Sequence, residues 1–115
     1  MRVNMFCRQH GFKLLLVDVG VDYNFPEKLL ATGITDTEHK IVNRKIAYGT
    51  KNFLHEPAMT KEEWDRAIVI GSKQVDAWYR EGSNIISFGE MGIANTSPSS
   101  VIMHLLLDIP LEKCV

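Results

Sequence analysis

The chain has 115 residues, 45% of them hydrophobic, with 13 lysines and arginines against 14 aspartates and glutamates. That length suits one domain able to bury about two-thirds of its unfolded surface, and the near-neutral balance excludes an electrostatic footprint for nucleic acid or an anionic membrane. The apolar runs, such as those at residues 14–17 and 105–107, are too short to span a bilayer, and no uninterrupted apolar stretch follows Met1 to act as a secretory signal. Cys7 and Cys114 lie near opposite ends with no CxxC spacing, so a reduced, cytoplasmic chain is expected.

Taken in chain order, residues 3–10 read as the last turns of a helix closed by Gly11. Residues 13–19 form a nearly continuous apolar run ending at Asp18, the pattern of a strand covered on both faces. Residues 20–26 read as a loop, with Pro26 opening a short helical turn through Leu30. Gly33 and Thr35-Asp36-Thr37 mark another loop, and residues 38–50 mix apolar and basic positions in a pattern that fits helix or strand.

The clearest element starts at Thr60. Thr60 and Glu63 have the spacing of a capping box, in which two side chains satisfy helix-start donors reciprocally. Trp64, Ala67, Ile68, Gly71, Val75 and Trp78 then recur at three- and four-residue spacing and define one buried stripe, with Gly82 as the stop. Both tryptophans are read as core on this spacing. Residues 84–88 read as a short strand and residues 99–107 as a helix. Strand, long excursion, helix, strand and helix argue for an α/β layer structure with a parallel sheet, the strands at 13–19 and 84–88 lying side by side and the 60–81 helix on one face. Two strands cannot cover both faces of an open sheet, so the sequence reads as the interior of a larger domain.

The segment Phe88-Gly89-Glu90-Met91-Gly92-Ile93-Ala94-Asn95-Thr96-Ser97 carries the chemistry. A glycine-bearing loop between a strand and a helix start can point backbone N–H groups at an anion, and glycine permits close backbone approach and positive φ. Glu90 would repel a phosphate beside it. The carboxylate therefore suits a hydroxyl or a developing positive charge. Glu90 can also be read as a solvated charge at a helix start, and Asn95, Thr96 and Ser97 as helix caps. Asp18 and Asp22 follow the first strand, where α/β sites gather, and either line a site or cap loops. Lys40, Arg44, Lys45 and Lys51 read as a solvated basic face able to meet a phosphate. His10, His39, His55 and His104 show no HxxxH or HxH spacing, so no metal site is expected.

The run FGEMGIANTSPSS resembles the loop signature of the nicotinate-nucleotide–dimethylbenzimidazole phosphoribosyltransferase family, which typically reads GEMGIGNT, with Ala94 in place of a glycine. Residues 3–25, 45–63 and 109–115 resemble further family segments in the same order, so the likeness covers nearly the whole chain. Family chains are considerably longer, and this sequence matches a central portion. The resemblance implies a single, partial α/β domain over residues 1–115, with a Rossmann-like parallel sheet and flanking helices, in a homodimeric enzyme. It implies transfer of the phosphoribosyl group of nicotinate mononucleotide to dimethylbenzimidazole, giving α-ribazole phosphate and nicotinate, without metal or other cofactor. It places Glu90 at the ribose, with Gly89, Gly92, Asn95 and Thr96 as substrate-binding residues. It assigns the general base to an E-G-T-G segment beyond Val115, so the chain by itself is expected to lack that base. The alternatives are a non-catalytic remnant and a small nucleotide-binding α/β module.

Overall fold

The computed structural model describes residues 2–31 and 40–115. The loop expected around Gly33 and Thr35-Asp36-Thr37, and His39, lie outside them. The described residues divide into two compact units, residues 1–84 and 85–115.

The first unit opens with α1 (Arg2–His10). Gly11 closes it at φ +66°, as the sequence predicts. Phe12 N–H donates to Cys7 O (2.8 Å) and Gly11 N–H to Arg8 O (3.4 Å), the bond pair of a Schellman closure. The apolar run 13–19 contributes β1 (Leu16–Asp18), and the undecided segment contributes β2 (Ile41–Asn43). The two strands are parallel, with Leu16 opposite Ile41, Val17 opposite Val42 and Asp18 opposite Asn43. On its other side β2 bridges Leu30, and Ala31 N–H donates to Ile41 O (2.9 Å). The short 3₁₀ turn Glu27–Leu29, started by Pro26, delivers the chain to that position. Val42, with neighbours on both edges, is 1% exposed.

Backbone pairing continues past the strand ends. Arg44 N–H reaches Asp18 O (2.8 Å), Ile46 N–H reaches Val19 O (2.9 Å) and Gly49 N–H reaches Gly20 O (2.7 Å). One ion pair ties these segments together. Asp18, 3% exposed, accepts N–H bonds from Gly20 (3.0 Å) and Val21 (2.9 Å) on one oxygen, and its other oxygen lies 2.8 Å from Lys45 Nζ. Lys45 Nζ also donates to the carbonyls of Val21 and Tyr23. The basic residue read as solvated is thus a half-buried anchor, and Asp18 takes the loop-capping role rather than an open one. Lys51 is instead spent on Glu56 at 3.1 Å.

Helix α2 (Lys61–Arg80) has the expected capping box, with Glu63 N–H donating to Thr60 Oγ1 (3.2 Å) and Thr60 N–H to Glu63 Oε2 (2.7 Å). It ends in a second Schellman closure at Gly82, φ +87°. Its half-buried face carries Ala67, Ile70, Gln74 and Trp78. Trp64 and Ile68 lie outside that face and are exposed, which corrects the single buried stripe read from spacing.

The expected strand at 84–88 does not form. Its residues have no ladder, and Ile85 and Phe88 are 87% and 80% exposed. The parallel partner of β1 is β2. An apolar run becomes a strand only where a second strand offers its backbone groups, and among the described residues none pairs with 84–88. The second unit holds α3 (Thr96–Leu107), beginning three residues before the sequence expectation, and a 3₁₀ turn Leu111–Lys113 after Pro110. Ser100 Oγ donates to Cys114 O (2.7 Å), fastening that turn to the helix.

Burial alone would raise the Asp18 carboxyl, but the Lys45 ammonium and the N–H groups of Val21 and Gly20 outweigh it and hold the carboxyl below its ordinary 3.8. A carboxyl depressed on folding contributes stability that is complete above the unfolded-state value and is lost as pH falls through the lower native value. Urea unfolding from pH 6 to pH 2 should therefore show a loss of stability below about pH 4 that is missing from Asp18→Asn. Lys45→Met should cost about 3 kcal/mol at pH 7, because it leaves a buried carboxylate without its cation. A cost below about 1 kcal/mol would place the pair in the class of surface ion pairs.

Candidate functional site

Residues 85–95 lead irregularly into α3, and Asn95 occupies the N-cap position. Its backbone is already helical (φ −65°, ψ −17°), and its side chain makes no capping bond to its own helix. The Asn95 amide Nδ2 donates instead to Glu90 Oε2. Two predicted site residues, five positions apart, are thus brought together, and the Glu90 carboxylate is folded back toward the start of α3. Gly92 makes room for it, since a Cβ there would lie 2.6 Å from Glu90 Oε1.

Glycine's role differs in detail from the sequence expectation. Neither Gly89 nor Gly92 has a positive φ, and among the described residues nothing beyond its chain neighbours lies within 4 Å of a Cβ placed on Gly89. The left-handed conformation falls on Ala94, at φ +58°, the position where the motif GEMGIGNT has glycine. A Cβ in that region costs about 1–2 kcal/mol.

The start of α3 is a poor phosphate cradle. Ser97 N–H is already bonded to Ala94 O (3.2 Å), Ser99 N–H to Asn95 O (3.2 Å), and Pro98 has no N–H. Pro98 is tolerated there because N–H groups of the first helical turn lack intrahelical partners in any case. Thr96, the first helical residue, is exposed. A carboxylate in front of a helix start with few spare donors suits hydroxyl groups and positive charge better than a phosphate.

The remaining sequence candidates lie elsewhere. Asp18 belongs to the lock at the strand ends, and Asp22 is exposed in the loop that follows. Also in the first unit, a groove of about 600 Å³ is lined by Asn43, Arg44, Lys45, Asp65, Arg66 and Val69 among others. Sequence reasoning missed this collection of charges, because residues 43–45 and 65–66 become neighbours only through the fold. His104 Nδ1 lies 2.6 Å from Ile109 O, so that nitrogen carries the proton. His10 stacks on Phe12 with centroids 5.7 Å apart. Among the described residues, no group of three His, Cys, Asp or Glu side chains is placed to hold a metal ion.

The sequence profile of a phosphoribosyltransferase family matches residues 1–115. The chain belongs to the nicotinate-nucleotide–dimethylbenzimidazole phosphoribosyltransferase family. It is 51% identical over 113 residues to the enzyme of that name from Phocaeicola vulgatus, covering 98% of this chain and 30% of the relative. It is 45% identical over 113 residues to the Ralstonia nicotianae enzyme, with the same coverage. The crystal structure of the family enzyme from Thermus thermophilus superposes with a TM-score of 0.80 at 29% identity, over 96% of this chain and 30% of that one. The chain therefore spans about 30% of the length of the phosphoribosyltransferases it matches. The likeness supports the α/β class seen in the parallel strands and helices.

Ala94→Gly should stabilise the chain by roughly 0.5–1 kcal/mol, the relief of left-handed strain less the added freedom of glycine when unfolded. Urea titration at neutral pH measures it. Destabilisation would contradict the left-handed assignment at Ala94.

Proposed function

We propose that this chain supplies the nucleotide-facing loop of an enzyme that transfers the phosphoribosyl group of nicotinate mononucleotide to a ring nitrogen of dimethylbenzimidazole. The products are α-ribazole 5′-phosphate and nicotinate. The observation that carries this reading is the Asn95–Glu90 hydrogen bond, which fixes a carboxylate beside Gly92 in the loop that bears the family signature. The reaction is substitution at an anomeric carbon. The bond to the nicotinate nitrogen breaks with its electron pair leaving on nicotinate, a benzimidazole nitrogen forms the new bond, and the benzimidazole N–H proton passes to a base. Positive charge accumulates on the ribose in the transition state.

Glu90 serves that charge and the ribose hydroxyls. Asn95 donates to one carboxylate oxygen and fixes its direction, leaving acceptor capacity on the other. Holding the charge in place before the reaction avoids reorganisation during it. Gly89, Gly92 and Thr96 complete the nucleotide-facing surface. The remaining family segments supply the base and the aromatic pocket, so the 115-residue chain alone is short of both. A Rossmann-like sheet in the complete domain and assembly as a homodimer belong to the same proposal and rest on the family resemblance; a cytoplasmic location belongs to it too and rests on the spacing of Cys7 and Cys114. No cofactor is called for by this chemistry. Among the described residues, no helix is long and apolar enough to cross a membrane.

In a family-length enzyme carrying this segment, Glu90→Gln keeps the shape and removes the charge. It should lower kcat by about 10²-fold with little change in the thermal midpoint. Unchanged kinetics would remove Glu90 from the mechanism. The purified 115-residue chain, given both substrates, should form negligible α-ribazole phosphate by chromatography, because a general base contributes about 10²–10⁴ in rate. Robust turnover would show that a residue within these 115 acts as the base.

A further inference from the structure

The groove of the first unit gathers donors without matching acceptors. It lies at the carboxyl end of β2, where ligands of open parallel sheets collect, between residues 43–45 and the first half of α2. Its charges do not cancel. Lys45 is spent on Asp18, and Asp65 is held by Lys61, whose Nζ lies 3.2 and 2.9 Å from the two carboxylate oxygens. Arg44 and Arg66 remain, and neither is ion-paired among the described residues. Arg44 uses one nitrogen on the Asn43 carbonyl (3.0 Å) and keeps the rest of its guanidinium. Asn43 Oδ1 accepts from Lys45 N–H (3.1 Å), so the atom left over on that side chain is its amide nitrogen, a donor. Val69, 49% exposed, and half-buried Ile70 give the same groove an apolar part.

The complement of such a groove is an acceptor-rich dianion with an apolar body. At about 600 Å³ the space suits a small organic molecule rather than a lone ion. A phosphate monoester has the right chemistry. Above its second pKa of about 6 it carries close to two negative charges and presents only acceptor oxygens. That matches two unpaired guanidinium groups, whose forked N–H donors bind phosphate oxygens in pairs. A carboxylate brings half the charge. We propose that the groove between β2 and α2 binds a phosphate monoester, with Arg44, Arg66 and Asn43 on the phosphate and Val69 and Ile70 under the organic part. The site uses residues of the first unit alone and does not rest on the reading of Glu90.

The probe is phenyl phosphate, titrated into the nitrogen-15-labelled 115-residue chain at neutral pH and about 0.15 M ionic strength, where distant charges are screened. Saturable shifts should appear at the amides of residues 43–45 and 65–70. Arg44→Gln and Arg66→Gln should each weaken binding by about tenfold. Arg80→Gln removes the same charge from an exposed position of α2 outside the groove and should change binding by less than about twofold. All three arginines are exposed, so the variants should keep the amide dispersion of the parent chain. Benzoate has the ring with a single charge, and inorganic phosphate has the charge without the ring. Both should bind more weakly than phenyl phosphate. Four results would overturn the proposal: no saturable shift at these amides, Arg44→Gln and Arg66→Gln no weaker than Arg80→Gln, benzoate equal to phenyl phosphate, or inorganic phosphate equal to it. The third would leave an unselective anion groove, and the fourth would remove the apolar half of the site.

Discussion

The first unit depends on keeping one carboxylate charged in a place that excludes water. Asp18 ends β1 and is almost fully buried. Its charge is tolerable only because Lys45 and two backbone N–H groups meet it. The consequences run outward. Lys45 also gathers the carbonyls of Val21 and Tyr23, so the loop after β1 is held against the segment after β2. Tyr48 extends the clasp through its hydroxyl to Asn24 Oδ1 (2.7 Å). Strands of three residues are too short to hold register by their ladder alone. The ion pair fixes Asp18 opposite Asn43 and carries the pairing on to Gly49.

The second unit follows the same logic on a smaller scale. Glu90 is an exposed charge made directional by one neighbour, Asn95, and by the absence of a side chain at Gly92. The helix start behind it has spent or lacks several of its donors. These features favour a role toward hydroxyls and positive charge, which is what the proposed substitution at a ribose carbon demands.

What could be read from the sequence was mostly local. The Thr60–Glu63 box, the glycine closures at Gly11 and Gly82, the Pro26 turn and the apolar helix ending at Leu107 each follow from residues within a turn of one another. What could not be read depends on partners remote in sequence. Residues 84–88 have strand composition, but composition does not provide a neighbouring ladder. Lys45 looks like one of several surface cations, because nothing local announces an aspartate 27 positions earlier (Asp18 to Lys45). The glycine loop was legible as a site candidate. Its wiring was not: the sequence does not say that Asn95 would spend its amide on Glu90, nor that the strained backbone would fall on Ala94. Trp64 shows the reverse case, a residue whose spacing specifies burial while the described residues of its own unit leave it exposed. For a chain spanning about 30% of its relatives, that mismatch is expected wherever the pattern was shaped by the rest of the fold.

The central claim is that the Glu90 loop faces the nucleotide. The most direct measurement is a crystal structure of a family-length enzyme carrying this segment with nicotinate mononucleotide bound. The account predicts a ribose hydroxyl at about 2.5–3.0 Å from a Glu90 carboxylate oxygen, with Asn95 still donating to that carboxylate and the phosphate held away from Glu90. A nucleotide bound with its ribose out of reach of Glu90, or with its phosphate seated on the start of α3, would contradict it.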